Sequence, residues 1–354
     1  MSTNPEPFDI QDDNRENSEP NLANTEDQKE IIEKDFVPHF LPTYRIKSSL
    51  YPIPIIIAVV IAGLLSYLTF VVADVQVDES YFPEDEFGAL GVVLNGVIFT
   101  VIAAISAFAI IFLMRRFGMG VLKYIFGLSF GFVSFFITLM FLDVIIFLIF
   151  VQFPETTFVL KLYFLFTNIY IPLFTAVLVF LLIYNYFTSK SIKTKNSIVL
   201  YISFLVSASM SIILPFWSTL AILIGISLWD IFAVLYKRGP IKEMIEIMSD
   251  DDDESDTSEA EVKEKIKSGE GVYDTSKLEI GIGDLAFYSL LTSSVLLFTN
   301  NIIIVILTTV AILIGTGITI SGLKRNKILP GLPISIFMGI GTFLICQLIV
   351  TFFI

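Results

Sequence analysis

The sequence predicts an all-α polytopic membrane protein with nine transmembrane helices. The 354 residues are 55% hydrophobic and the mean hydropathy is +0.80, values typical of multi-span helical membrane proteins. Apolar runs recur along the chain, and each is close to the roughly 20 residues that a helix needs to cross the hydrocarbon core. Lys and Arg are concentrated in every second loop between these runs, which is the charge pattern of a polytopic protein.

The apolar runs define the individual spans. The length of the run 119–153 fits neither one span nor two, because it is too long for one and too short for two. We expect that span to end near Asp143, at the far interface, with 144–158 lying along the membrane surface. The full set of expected spans is 52–73, 89–114, 119–142, 162–187, 197–214, 217–236, 280–298, 302–322 and 330–354.

Two polar segments carry most of the charge and divide the chain into four parts. Residues 1–36 hold 11 acidic and 3 basic side chains, and residues 237–279 hold 14 acidic and 7 basic ones. We expect a disordered acidic tail (1–36), helices one to six (37–236), a cytoplasmic acidic loop with a short surface helix at 240–248 (237–279), and helices seven to nine (280–354). The net charge of −13 therefore describes two polar segments, and nucleic-acid binding is not expected.

The loop charges also predict the orientation. Cytoplasmic loops of membrane proteins carry the excess of Lys and Arg. The other set of loops contains only Lys161, so we expect a cytoplasmic N-terminus and an external C-terminus. The basic residues of the alternate loops are Arg45, Lys47, Arg115, Arg116, Lys123, Lys190, Lys193, Lys195, Lys237, Arg238, Lys242, Lys324, Arg325 and Lys327.

Two aspartates lie inside apolar spans at matching depths. Asp230 stands seven residues before Lys237, and Asp284 stands seven residues after Lys277. At a rise of 1.5 Å per residue, both carboxyl groups lie roughly 10 Å below the same membrane surface. An acid at the centre of a span costs roughly 2.5–3.5 kcal/mol on insertion scales, so each is a functional-site candidate. Two carboxyls at one depth on adjacent helices can meet, as in an aspartyl protease dyad.

Other chemistries have few candidate residues. The single histidine, His39, precedes the first span, and the single cysteine, Cys346, has no partner in sequence. No zinc motif, P-loop or dinucleotide fingerprint occurs, so no metal or cofactor is expected. A third carboxylate, Asp143, is interpreted as an interface residue. From the residues alone, three hypotheses stay open for Asp230 and Asp284: a protease dyad, a carboxylate-gated transporter or ion leak channel, and structural carboxyls.

Three motifs resemble the presenilin family of intramembrane aspartyl proteases. The first runs from Trp229-Asp230 through Ala233-Val234-Leu235 to Gly239-Pro240, in the sixth span. The second is Gly281-Ile282-Gly283-Asp284, a GxGD motif at the start of the seventh span. The third begins the ninth span as Pro330-Gly331-Leu332, followed by Pro333-Ile334-Ser335. The order of the motifs and the loop between the first two make the resemblance specific.

The resemblance implies an intramembrane aspartyl endopeptidase that cleaves transmembrane helices, with Asp230 and Asp284 as the catalytic pair. Two departures from the family pattern occur: Trp229 replaces a tyrosine, and Gly331 replaces the alanine of the family's P-A-L motif. The substrate-binding residues implied by the resemblance are Gly281, Ile282, Gly283, Pro330, Gly331, Leu332 and Trp229.

The resemblance also sets expectations about partners and location. We expect a multi-pass protein of the cell membrane that contacts the lipid bilayer and transmembrane-helix substrates. The short polar loop and short N-terminal segment indicate a microbial, archaeal homologue that acts without accessory subunits. The basic loops favour the presenilin orientation over the opposite orientation of the related signal-peptide peptidases.

Overall fold

The computed structural model describes residues 43–75, 81–118, 120–189, 191–236, 277–323 and 330–353. Within these ranges, nine helical stretches are long and apolar enough to cross a membrane, as the sequence predicts. The chain is therefore a multi-pass integral membrane protein. The predicted acidic tail 1–36, the predicted surface helix 240–248 and the orientation-setting Lys237 lie outside the described residues.

Local sequence marks several of the element ends. Pro52 stands in the first turn of its helix, where a missing N–H does no harm. Pro172 follows a π-helical turn at Phe166–Tyr170, which divides the fourth span into two helices. The elements are β1 (Thr43–Lys47), α1 (Pro52–Tyr67), α2 (Glu84–Phe117), α3 (Gly120–Phe150), α4 (Thr157–Leu165), α5 (Ile171–Thr188), α6 (Ile192–Ile213), α7 (Phe216–Leu235), β2 (Lys277–Gly281), α8 (Ile282–Thr299), α9 (Ile302–Leu323) and α10 (Leu332–Phe353).

The third span differs from its prediction. We expected it to end near Asp143, but α3 continues as one helix to Phe150. A helix of 31 residues is longer than the hydrocarbon core is thick, and tilting accommodates such a length. The segment 144–150 is therefore part of the span, since the first residue that disfavours helix is Pro154. The prediction of a surface segment there was wrong.

Helix α8 lies at the centre of the bundle. It packs against α1, α6, α7, α9 and α10. Its side chains are buried on nearly every face from Leu285 to Val295, and Leu285, Leu291 and Val295 have no exposed surface. A membrane helix whose side chains are buried on nearly every face is a core helix of its bundle. Asp284, one residue before this buried stretch, is consequently attached to a helix with little freedom to move.

A small antiparallel sheet joins the chain before α1 to the chain before α8. Strand β1 pairs with β2 in the register Thr43↔Gly281 to Lys47↔Lys277. The sequence analysis did not predict this sheet, because it assigned Lys277–Glu279 to the acidic loop and gave no structure to residues 43–47. Strand β2 runs directly into α8, so the sheet fixes the direction in which α8 begins.

Helices α2 and α7 approach closely through small residues. A Cβ added at Gly96 would lie 3.0 Å from the Cβ of Ala221, and one added at Gly225 would collide with Thr100 Oγ1. Gly96 and Thr100 are four residues apart on α2, and Ala221 and Gly225 are four apart on α7. Paired small residues at this spacing allow the backbones of membrane helices to pack together.

The N-terminus of α7 is held by side chains from the start of α2. Glu84 Oε1 accepts hydrogen bonds from the backbone N–H of Ser218 (3.0 Å) and from its hydroxyl (2.9 Å). Asn95 Nδ2 donates to Ser218 Oγ at 3.0 Å and to the carbonyl of Phe82 at 2.9 Å. These contacts satisfy groups that the first turn of a helix leaves unpaired. Together with the glycine contacts, they fix α7 along its length.

We expect Gly225→Val to lower the free energy of unfolding by about 1–3 kcal/mol, because the new side chain forces α2 and α7 apart. Thermal unfolding of the detergent-solubilised protein measures the change. Gly341→Val is the matched control, since a Cβ there meets no heavy atom within 4 Å. Equal melting temperatures for the two variants would contradict the proposed role of the α2–α7 contact.

Candidate active site

Asp230 and Asp284 lie on neighbouring helices. Asp230 is near the C-terminal end of α7, and Asp284 is in the first turn of α8. The two helices pack together, and the carboxyl groups are close enough to interact electrostatically. Both side chains are partly buried. The structure thus brings together the two acids that the sequence places at equal depth.

Both carboxyl groups converge on the short segment before α10. The backbone N–H of Leu332 donates to Asp230 Oδ2 at 3.4 Å. A Cβ added at the preceding residue, Gly331, would lie 3.3 Å from Asp284 Oδ2. Consecutive Cα atoms are about 3.8 Å apart, so the two carboxyls border one small region of backbone. Three elements distant in sequence therefore meet at a single point.

Asp284 is positioned by the junction between β2 and α8. Gly281, the last residue of β2, has extended backbone angles (φ −63°, ψ 147°) and precedes the first helical residue. Its backbone lies beside the Asp284 carboxyl group, whose Oδ2 is the nearest atom to a Cβ added at Gly281. Cβ atoms added at Gly281 and Gly283 would make ordinary contacts, with the nearest atoms at 3.6 and 3.7 Å. Packing therefore does not require glycine at these positions.

Sequence reasoning missed a buried polar cluster beneath the aspartates. Tyr288 is 1% exposed, and its hydroxyl donates to the carbonyl of Gly331 at 3.2 Å. Thr316 Oγ1 and Ser335 Oγ lie 3.0 Å apart and also interact with the Tyr288 hydroxyl. The available signal was spacing, since Tyr288 follows Asp284 by four residues and shares its helix face. The cluster fixes the backbone that both carboxyls contact.

The remaining predicted site residues differ in their surroundings. Pro330 is buried beside Gly331, and the carbonyl of Ile282 accepts a hydrogen bond from Ser203 Oγ of α6 at 3.3 Å. The ring of Trp229 packs edge-to-face on Phe108 of α2, with centroids 6.0 Å apart. The substitution of tryptophan for the family's tyrosine thus places an indole against α2.

In the described part of the chain, no group of three His, Cys, Asp or Glu side chains could hold a metal ion. His39 lies outside the described residues, and Cys346 is a partly buried free thiol. Asn95 of α2 bonds to Ser218 and to the backbone of Phe82.

Two carboxyl groups at one partly buried point favour a specific chemistry. When two carboxyls lie close together, ionising both is unfavourable, so the pair shares a proton and titrates as a unit. Such a pair presents one hydrogen-bond donor and one base to the same water molecule. This arrangement is suited to general acid–base hydrolysis without a metal.

Comparison with known proteins links the chain to a family. Residues 248–354 match the family model Presenilin. Presenilin-B of Dictyostelium discoideum is 38% identical over 128 residues, which cover 36% of this chain and 25% of that protein. The aligned part of the chain therefore spans about a quarter of the relative's length.

Solved structures extend the comparison to most of the fold. Two structures of a presenilin family intramembrane aspartate protease, in the P2 and C222 space groups, each match 84% of this chain with a TM-score of 0.53. The matches cover 96% and 99% of those chains, at 17% and 14% sequence identity. The resemblance to the presenilin family is therefore confirmed, by sequence in the C-terminal part and by fold over most of the chain.

We expect Tyr288→Phe to lower the free energy of unfolding by about 1 kcal/mol, because it leaves the Gly331 carbonyl without its donor. Thermal unfolding measures this loss. Tyr184→Phe serves as the control, since Tyr184 lies exposed on α5. Indistinguishable melting temperatures for Tyr288→Phe and the wild type would show that the hydroxyl does not support the segment before α10.

Proposed function

From the family match in sequence and in fold, we propose that this chain is an intramembrane aspartyl endopeptidase that hydrolyses peptide bonds of transmembrane helices. The observation that carries the proposal is the convergence of Asp230 and Asp284 on adjacent residues of one segment, Gly331 and Leu332. A structural role for the acids does not require that both meet the same backbone.

In the proposed mechanism, the two aspartates hold one water molecule and share one proton. The ionised carboxylate takes a proton from the water as its oxygen attacks the peptide carbonyl carbon. The protonated carboxyl donates to the carbonyl oxygen, so a tetrahedral intermediate forms. As the intermediate collapses, one of its hydroxyl groups returns a proton to the ionised carboxylate, the C–N bond breaks, and the amine leaves with the proton of the other carboxyl. The residues are not assigned separate acid and base roles, because the pair titrates as a unit.

The segment Pro330–Leu332 is proposed to bind the substrate backbone. Pro330 lacks an N–H group, Gly331 forms a bend, and α10 begins only at Leu332, so the backbone before α10 is not helical. Non-helical backbone at membrane depth is tolerated where it is buried or lines a cavity. A substrate helix must unwind before hydrolysis, and strand pairing would satisfy the amides that unwinding exposes. Gly281, Ile282 and Gly283 are proposed to border the substrate on the other side, and Trp229 to contact it from α7.

The proposed setting is the cell membrane, with the N-terminus cytoplasmic and the C-terminus outside. The alternate basic loops support this orientation. The partners are proposed to be transmembrane-helix substrates and the lipid bilayer, without nucleic acid and without accessory subunits. A transporter or leak channel, the alternative from the sequence, predicts polar side chains along a path. Asn95 instead bonds within the protein, and Asn168 donates to a carbonyl of its own helix.

We expect Asp230→Asn and Asp284→Asn each to lower cleavage of a reporter transmembrane helix by about 10²–10⁴-fold, because each removes a member of the acid–base pair. The assay uses purified full-length protein reconstituted in liposomes. Asp143→Asn is the matched control, because it changes a third carboxyl group within a span. We expect its cleavage rate to equal that of the wild type.

Two results would contradict the proposed function. One is cleavage that survives either substitution at the pair. The other is a wild-type protein that moves ions across the liposome membrane but leaves the reporter intact, which would favour the transporter.

We also expect side-chain size at residue 331 to control the rate. A methyl group in Gly331→Ala would lie 3.3 Å from Asp284 Oδ2, a tight contact that a small shift relieves. The extra methyl groups of Gly331→Val would displace the carboxyl or the segment, so we expect kcat to fall by about tenfold or more. Cleavage kinetics of both variants test this order. If valine is tolerated as well as alanine, the proposed close approach of Asp284 to the segment is wrong.

A further inference from the structure

Strand β1 precedes the first span, yet it is tied to the start of the helix that carries Asp284. Its partner β2 ends at Gly281, and α8 begins at the next residue. No loop intervenes to absorb a displacement of the strand. Because the Gly281 backbone also borders the Asp284 carboxyl, a movement of β2 displaces both the start of α8 and the backbone beside that side chain.

The edge of β1 that faces away from β2 is held by one side chain, Asn196 of α6. The backbone N–H of Arg45 donates to Asn196 Oδ1 at 2.9 Å, and Asn196 Nδ2 donates to the Arg45 carbonyl at 2.7 Å. The N–H and C=O of a strand residue point to the same side, so Arg45 faces α6 while its neighbours face β2. The Asn196 side-chain amide thus pairs with the outer edge of β1 at Arg45, as the backbone of a neighbouring strand would.

Side chains reinforce the pairing of the two strands. Arg45 Nε lies 2.9 Å from Glu279 Oε1, and Thr43 Oγ1 donates to Glu279 Oε2 at 3.0 Å. Partly exposed ion pairs contribute little to stability, typically about 0–1 kcal/mol. The two amide hydrogen bonds of Asn196 are therefore the better candidates for holding β1 in place.

Helix α6 contacts the start of α8 as well as β1. Ser203 lies seven residues after Asn196 on the same face of α6, and its hydroxyl proton is shared between the Val199 carbonyl of its own helix (2.8 Å) and the Ile282 carbonyl (3.3 Å). The same helix thereby fixes β1 through Asn196 and the first residue of α8 through Ser203. Contacts therefore link α6 to β1, β1 to β2, β2 to α8 and α8 back to α6, and Asp284 lies in the first turn of α8.

We propose that β1 is a positioning strand for Asp284 and that Asn196 is the positioning residue that holds it. The inference rests on the proposed function, because it assigns the strand a role in catalysis. The carboxyl pair needs a fixed geometry relative to the bond that it cleaves, and a displacement of about 1 Å can reduce a rate by about 100-fold. Neither β1 nor Asn196 touches the substrate in this role. They act through β2, whose last residue, Gly281, directly precedes the helix that carries Asp284.

Asn196→Ala tests the proposal in full-length protein reconstituted in liposomes. We expect kcat for the reporter helix to fall by about 10–100-fold with KM changed by less than about twofold, since alignment is lost and binding is kept. Hydrogen exchange of the amides of residues 277–284 is expected to become faster. Asn196→Asp is a second variant of equal size that keeps the acceptor and loses the donor. Asn168→Ala is the matched control, because Asn168 bonds only within its own helix among the contacts of the described residues.

An engineered disulfide between β1 and β2 is expected to restore the activity that Asn196→Ala loses. Arg45 and Glu279 oppose each other in the register, and their backbone groups point away from the partner strand. The Cα atoms of such a pair are about 4.5 Å apart, within the range that a disulfide spans. The test adds Arg45→Cys and Glu279→Cys to the Asn196→Ala variant, with Cys346 replaced by Ala. We expect the oxidised disulfide to restore kcat in this variant. Reduction of the disulfide is expected to lower kcat again.

The outcomes separate the two proposals. If the wild type cleaves and Asn196→Ala keeps its kcat, the positioning role is overturned, whether or not exchange of 277–284 increases. Equal losses in Asn196→Ala and Asn168→Ala would overturn it as well. If the wild type does not cleave any reporter, the proposed function fails. Unchanged exchange in both Asn196 variants would overturn the structural part of this inference without reference to activity.

Discussion

Two acids placed within a membrane must find hydrogen-bond donors, and this requirement shapes the fold. Water is scarce at that depth, and side-chain donors are expensive to place there. Asp230 accepts a hydrogen bond from the backbone N–H of Leu332, and Asp284 lies beside the backbone of Gly281. A helix interior has no free N–H, so both carboxyls lie against backbone that adjoins a helix start. The breaks before α8 and α10 therefore provide the polar backbone that the two carboxyls face.

Packing of the surrounding helices fixes the starts of α8 and α10 relative to each other and to α7. Helix α8 is buried by five neighbours, so Asp284 has little freedom to move with its helix. Helix α7 is fixed by the small-residue contact at Gly225 and by Glu84 at its N-terminus. Tyr288 ties the backbone before α10 to α8. Since packed interiors resist continuous deformation, these contacts define one arrangement of the carboxyls in the absence of substrate.

The spans and the site differed in how well the sequence predicted them. All nine spans were predicted, because the length and hydropathy of each apolar run are local properties. The end of α3 was predicted wrongly, since Asp143 was taken as a boundary although a helix continues through a single acid. Strand β1 was not predicted, although Tyr44 and Ile46 alternate with polar residues over five positions, which is the pattern of a half-buried strand. The aspartates were found because charge in an apolar run is conspicuous, whereas Tyr288 was not, since a buried tyrosine resembles any core aromatic residue.

The sequence by itself determined the nine apolar spans found in the described residues and which alternate loops are basic, and it predicted that two acids lie equally deep. These properties depend on the rise of a helix and the thickness of a bilayer, so neighbouring residues suffice. Only the tertiary structure decided which backbone meets the acids and what holds that backbone. Asp230 and Leu332 are 102 residues apart, and Arg45 and Asn196 are 151 apart. Such pairings follow from how helices pack against one another, and the pattern of a single segment contains no record of its distant neighbour.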